Sequence, residues 1–331
     1  AELVQDLFRV EYAIVSPLSG NLAVLASLFA FSGQGDEVAI LDLAEGGYPL
    51  NVEYFGRKKL KLPYSEEKLT IAVNRSLSLL ETRKPPLIFL GASLFPFPHP
   101  VKQISATVHE YGGTVVYDGS HVLGLIAGRK FQDPVREGAD VLIGSTHKSF
   151  PGPQGGIILT SNPEKQKKLQ LVCNLEPVEG IVLLDNPHPA RIAALGVVTE
   201  ELLENRRAEK YAEAVVENSR ALALSLSNEG YPVKGKELGF TASHQVLSEI
   251  KNFEEGGEKR DLLQDHGIIT DAALRMGTAE VTRLGYRKVE MEKIGKIISK
   301  ILSDDYMADR DKLIYVKQVQ ALVNKHAEVV L

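Results

Sequence analysis

From residue 11 to about residue 160, short apolar runs alternate with longer stretches of helical period. The short runs are Tyr12–Ser16, Glu37–Leu41, Lys58–Leu62, Leu87–Gly91, Thr114–Tyr117, Val141–Ile143 and Gly156–Leu159. Several are unbroken β-branched and aliphatic sequence, the composition of strands covered on both faces. Between them, Asn21–Phe31, Ser65–Leu80 and Val101–Tyr111 are predicted helices, and Ala1–Phe8 predicts another at the start of the chain. Alternation of this kind predicts an α/β unit with a mostly parallel sheet flanked by helices. Ligands on such sheets bind in the loops at the carboxyl ends of the strands.

After about residue 185 the pattern changes. Arg191–Glu204 and Arg207–Glu229 read as long helices, Ser243–Ile250 as a strand and Leu262–His266 as a short helix. Val289–Leu302 and Asp311–Lys325 read as further helices, the last an amphipathic segment. The run Glu254-Glu255-Gly256-Gly257-Glu258-Lys259 reads as a solvated turn. The expected organisation is a large domain, residues 1–204, and a smaller α+β C-terminal domain, residues 205–331.

Composition narrows the partners. The 331 residues are 44% hydrophobic and 24% charged with a net charge of −5, ordinary values for a globular protein. Nothing there calls for nucleic acid or an anionic membrane. No apolar run reaches the ~20 residues that would span a bilayer, and no basic, then apolar, secretory leader opens the chain. The single cysteine, Cys173, has no intrachain partner, which fits a reducing, cytoplasmic compartment. The eight histidines show no metal-ligand spacing, so no metal is expected.

Four local features carry candidate chemistry. Asp118-Gly119-Ser120-His121 directly follows a predicted strand, where a carboxylate could hold a pyridine nitrogen protonated; alone, such an aspartate more often caps a helix. About thirty residues on, Ser145-Thr146-His147-Lys148-Ser149 also follows a strand. A deprotonated lysine there could condense with an aldehyde, though an isolated lysine is more often solvated. The Pro-Gly-Pro-Gln-Gly-Gly run at 151–156 imposes an unusual backbone path that lets a ligand come close. Ser16-Pro17-Leu18-Ser19-Gly20-Asn21 stands between a strand and a helix, as a phosphate-binding turn or an ordinary cap. Arg275-Met276-Gly277-Thr278 offers a guanidinium for a carboxylate, or a surface arginine. His244, in Thr241-Ala242-Ser243-His244, reads as structural.

Taken together, Asp118-Gly-Ser-His121-Val-Leu-Gly-Leu125 and Thr146-His-Lys148-Ser-Phe-Pro-Gly-Pro-Gln-Gly-Gly156 resemble the paired motifs of the serine hydroxymethyltransferases. Those are pyridoxal-phosphate (PLP) enzymes of fold type I, in the aspartate aminotransferase superfamily. Weaker similarity extends from residue 1 to about 302. The resemblance implies PLP as cofactor, with Lys148 as its Schiff-base lysine. It implies Asp118 as partner of the pyridine nitrogen and His121 beside the phenolic oxygen. Ser19, Gly20 and Asn21 match the phosphate turn, Ser93 a cofactor-contacting serine, and His147 the histidine before the lysine. Arg275 matches the arginine that binds the substrate carboxylate. Tyr48 stands where the family stacks a histidine on the ring, and Asn21 where it usually has serine. Asp185-Asn186 replaces a glycine pair, and the family's N-terminal segment, with a catalytic glutamate, is not in this sequence. The implied activity is serine–glycine interconversion or retro-aldol cleavage of a small α-amino acid. The implied partners are a folate or pterin carrier and a second copy of the chain in a homodimer. Transamination, racemisation, β-elimination and cofactor binding with little catalysis are the alternatives.

Overall fold

The computed structural model describes residues 1–173, 180–303 and 309–326. They divide into two compact units, Ala1–Glu209 and Lys210–Leu331, with the division in the first turn of a long helix.

The first unit is built on a seven-stranded sheet. Its strands are β1 (Tyr12–Ile14), β2 (Glu37–Leu41), β3 (Lys58–Leu62), β6 (Leu87–Gly91), β7 (Thr114–Asp118), β8 (Val141–Ser145) and β9 (Gly156–Thr160), while β4 (Tyr64–Ser65) and β5 (Thr70–Ile71) form a separate small hairpin. The spatial order is β3-β2-β6-β7-β8-β9-β1. From β3 to β8 every pairing is parallel, whereas β9 runs antiparallel to both β8 and β1. The chain moves outward from β2 to β3 and then back past β2 to β6. That reversal makes a switch point at which neighbouring loops part, the usual place for a ligand in an open α/β sheet.

Burial explains the unbroken apolar runs. On one face Val38, Ile40, Leu87, Phe89, Val116, Val141 and Ile143 pack with helix α2 (Gly20–Phe31) and helix α6 (Pro163–Cys173). The alternate residues Ile88, Leu90, Val115, Tyr117 and Leu142 are buried as well, so the sheet is covered on both sides. Each such side chain contributes roughly 1.5–3 kcal/mol by leaving water. The edge strand β3 instead alternates lysine with buried leucine, which discourages pairing with another chain. The unit is completed by α1 (Glu2–Phe8), α3 (Val73–Arg83), α4 (Val101–Glu110), α5 (Leu123–Ala127) and α7 (Pro189–Leu203).

The second unit contains most of α8 (Arg207–Asn228), then β10 (Gln245–Leu247), α9 (Phe253–Gln264), β11 (Arg275–Gly277), α10 (Ala279–Arg283), α11 (Lys288–Ser303) and α12 (Asp309–Lys325). Strands β10 and β11 pair antiparallel. Its core gathers Leu222, Leu226, Val246, Leu263, Met276 and Ile298, against which Tyr315, Val319 and Leu322 of α12 pack. The part of the expected C-terminal segment from residue 304 to 308 lies outside the described residues, as does the chain after residue 326.

Three expectations change. The predicted helix Ser65–Leu80 is the β4–β5 hairpin followed by α3. Ser65 Oγ accepts from Lys68 N, Ala72 N donates to Pro63 O, and Leu69 is left-handed at φ 48, so the turn diverts the backbone before a helix starts. The predicted turn at Glu254–Lys259 lies inside α9, begun by Asn252, whose side chain accepts from Glu255 N at 2.9 Å. Its Gly256 packs so closely on a neighbouring loop that a Cβ would lie 2.0 Å from Ala272 O. The predicted strand Ser243–Ile250 shortens to β10, because Ser243 Oγ turns back to accept from Gln245 N.

Candidate active site

The candidate residues of the first unit lie on the loops that leave the carboxyl ends of β2, β6, β7 and β8 and at the start of α2. Ser19 caps α2 and its Oγ accepts from Leu22 N at 3.2 Å, leaving the other first-turn amides of that helix for an anion. Gly20 is buried against the ends of β7 and β8. A Cβ at this position would lie 2.2 Å from Ser145 Oγ and 3.1 Å from Ser120 Oγ. Gly156, at the start of β9, closes the same corner: its N donates to Pro17 O at 2.8 Å, and a Cβ there would meet Ser19 O at 2.3 Å. Glycine is required at Gly156 by close backbone approach, and at Gly20 by the packed side chains of Ser145 and Ser120.

Asp118 ends β7. One carboxylate oxygen accepts from Ser120 N at 2.9 Å, and burial raises its pKa above the usual carboxylate range against the opposing effects of Ser120 and Lys148. Ser120 Oγ in turn accepts from Ser145 N at 3.0 Å and lies 3.2 Å from Ser145 Oγ, tying the ends of β7 and β8 together. After β8 the chain makes a tight loop. Thr146 N donates to Gly155 O at 3.0 Å, Gly152 N to Thr146 O at 2.8 Å, and Thr146 Oγ1 to Pro153 O at 2.6 Å. The Pro-Gly-Pro-Gln-Gly-Gly run thus folds back on the segment that carries Lys148.

Lys148 Nζ lies 3.4 Å from His121 Nε2. An ammonium has only protons to give, so Nε2 must be the bare, accepting nitrogen when Lys148 is charged. His147 points outward; burial first, and then the charge of Lys148, lowers its pKa. Tyr48 follows β2 through Asp42–Gly47. Its hydroxyl donates to Asn21 Oδ1 at 3.0 Å, and its ring lines a small cavity together with Gly91 and Asp118. Ser93 follows β6, with its N donating to Gly46 O at 2.8 Å, which joins its loop to the one bearing Tyr48.

The fold therefore brings Ser19, Gly20, Asn21, Tyr48, Ser93, Asp118, His121 and Lys148 onto one set of strand-end loops. Arg275 lies in the second unit on β11, where its guanidinium pairs with Asp271 at 2.8 Å. His244, also in that unit, is buried.

Three further residues belong with the first set. Ser120 and Ser145 are buried hydroxyls whose contact joins β7 to β8, and their places beside Asp118 and Lys148 were the available signal. Arg191 gives no such signal, since it reads as one more residue in the first turn of a helix. Its Nη2 donates to Val15 O and, at 3.2 Å, to Ser16 O, bracing the segment before Ser19. Burial lowers its pKa, and its Nε and Nη1 are buried with no hydrogen-bond partner among the described residues.

Comparison with known proteins agrees with this geometry. The family model described as serine hydroxymethyltransferase matches residues 2–298. The serine hydroxymethyltransferase of Methanobrevibacter smithii is 37% identical over 323 residues, covering 92% of this chain and 74% of that protein. That of Pyrococcus furiosus is 38% identical over 328 residues, covering 92% and 75%. The crystal structure of L-threonine transaldolase from Pseudomonas fluorescens superposes with a TM-score of 0.87 over 97% of this chain and 75% of that one, at 24% identity. This likeness establishes the fold as type I, as the motifs implied.

Proposed function

This chain belongs to the serine hydroxymethyltransferase family, and from that premise we propose that it is a PLP-dependent enzyme that acts on a small α-amino acid by serine–glycine interconversion or a related retro-aldol cleavage. One observation carries the reading: a desolvated carboxylate, Asp118, shares a ring of strand-end loops with a lysine amine, Lys148.

The residues fit the cofactor. An acid held above its usual pKa by burial gains most from a cation, and a protonated pyridine nitrogen is one. The corner at Gly20 and Gly156 admits backbone but no Cβ, and it opens on free helix amides suited to a phosphate. In this assignment Ser19, Gly20 and Asn21 hold the phosphate, Asp118 the ring nitrogen, and Lys148 the aldehyde carbon. Tyr48, Ser93 and His121 would surround the ring, with the exposed His147 beside Lys148 in the same loop. PLP, when bound, supplies an electron sink for the electron pair left on the substrate α-carbon.

The protein's own part is positioning and proton movement. Lys148 Nζ has His121 Nε2 within 3.4 Å, a partner with which it could exchange a proton. The Ser120–Ser145 contact holds Asp118 and the lysine loop at a fixed separation. Arg275 is assigned the substrate carboxylate, exchanging Asp271 for it. A homodimer, a folate or pterin carrier and a cytoplasmic location complete the proposal. Among the described residues no helix is long and apolar enough to cross a membrane, and no cluster of His, Cys, Asp and Glu could hold a metal.

The test is to incubate the purified protein with PLP and serine, glycine, threonine or alanine, with and without tetrahydrofolate. Glycine formed from serine or threonine supports the assignment. Lys148→Ala should lose the yellow absorbance of lysine-bound cofactor and about 10³-fold or more in turnover. Unchanged absorbance and turnover in that variant would remove Lys148 from the chemistry.

A further inference from the structure

Two positions at which this chain departs from the family pattern, Asn21 and Tyr48, touch each other. The Tyr48 hydroxyl donates to Asn21 Oδ1 at 3.0 Å. Asn21 lies in the first turn of α2, next to Gly20, whereas Tyr48 sits on the loop after β2 and shares its cavity with Asp118. The contact thus runs from the region assigned to the ring nitrogen to the turn assigned to the phosphate. Burial, and then the negative charge of Asp118, raise the Tyr48 pKa, so the phenol keeps the proton it donates.

An asparagine amide has two unlike ends. Oδ1 only accepts hydrogen bonds and Nδ2 only donates them. A phosphate dianion only accepts. If the amide turned its oxygen to the phosphate, two negative groups would face each other. With Oδ1 engaged by the phenol, Nδ2 keeps two N–H groups for the anion. A serine in the same place needs no such help, because its hydroxyl rotates freely to donate.

We propose that Tyr48 is a positioning residue whose hydroxyl fixes the amide of Asn21 so that Nδ2 donates to a phosphate bound at the start of α2. This rests on the PLP assignment above and adds to it a coupling between two side chains.

A double-mutant cycle tests it. The unaltered protein, Tyr48→Phe, Asn21→Ser and the double variant are prepared as apoproteins and checked for equal cooperative unfolding. Dissociation constants are then measured by titration calorimetry for PLP, for inorganic phosphate and for pyridoxal, which lacks the phosphate. Tyr48→Phe keeps the ring and removes only the hydroxyl. It should weaken PLP and phosphate by about three- to tenfold when residue 21 is asparagine, the scale of one hydrogen bond. When residue 21 is serine the same change should cost less than about twofold, and pyridoxal should bind all four proteins alike. Asn21→Asp, which cannot donate, should weaken phosphate more than Asn21→Ser whichever residue stands at 48. An equal loss in both backgrounds, or an equal loss for pyridoxal, overturns the proposal and leaves the PLP assignment in place. Failure of the unaltered protein to bind either PLP or phosphate overturns both.

Discussion

Two carboxylates, one in each unit, are treated in opposite ways. Glu290, at the start of α11, is only 6% exposed; Lys325 Nζ donates to it at 2.7 Å and Arg287 N at 3.1 Å. The hydrogen bond from Lys325 is the main cause that holds its pKa down to about 2. Asp118, at the end of β7, has hydrogen bonds from Ser120, yet burial prevails and its pKa is raised. The second unit supplies the cation its acid needs. In the first, the Ser120 hydrogen bonds and the charge of Lys148 only partly offset desolvation, so its acid stays costly to ionise. An acid whose desolvation outweighs the charges around it is therefore the stronger pointer to a site, and an acid hydrogen-bonded to a cation points to a structural clamp.

The largest expected effect breaks the comparison at Asp118. Asp118→Asn should lower turnover on serine by on the order of 10³-fold, the scale of losing one preorganised charge. The same change should stabilise the apoprotein at pH 7 by about 1 kcal/mol, measured by urea unfolding. A loss of both activity and apoprotein stability would mean that Asp118 is a structural acid like Glu290.

A smaller effect is expected at the phosphate corner. Gly20→Ala places a Cβ 2.2 Å from Ser145 Oγ, so the Ser145 hydroxyl must turn away from Ser120 or the helix start must move. A cost of about 1–3 kcal/mol in urea unfolding is expected, together with weaker phosphate binding by calorimetry. Unchanged affinity for phosphate would place the anion elsewhere.

Glu290→Gln sharpens the other side. The lysine partner is largely exposed, so solvent screening limits the loss to about 1 kcal/mol at pH 7. The smallest effect is the pH dependence. The depressed Glu290 contributes stability above its ordinary pKa of 4.5, and this is lost as pH falls toward about 2. The raised Asp118 acts in the opposite sense: apoprotein stability falls as pH rises from the ordinary value of 3.8 through its folded value. Urea titrations from pH 2 to pH 7 should therefore lose the acid-side slope in Glu290→Gln, and lose the opposite slope in Asp118→Asn. Identical profiles in both variants would contradict the two assignments.

Much of the first unit was legible before any coordinates. Its strands are buried on both faces, so the apolar runs stand out, and β2, β3 and β6 have the ends expected from the pattern. The motif residues stood at strand ends, and strand ends are where such a sheet gathers its loops. Less was legible where local signals competed. Residues 65–72 carry a helical pattern, yet Ser65, Pro63 and Leu69 turn them into a hairpin. Gly256 reads as a turn residue but stands inside a helix begun by Asn252, at a position where a neighbouring carbonyl leaves no room for a side chain.

By itself the sequence determined the strand–helix alternation, the order of the motifs and the residue types that bear the chemistry, since these depend on local propensity and periodicity along the chain. Tertiary structure alone decided that Tyr48 meets Asn21, that Ser120 meets Ser145, that Arg191 braces the segment before Ser19, and that Asp118 and Glu290 shift in opposite directions. Those outcomes depend on which distant groups the fold brings within hydrogen-bond reach and how much water it removes around them, and neither quantity is written in residue order.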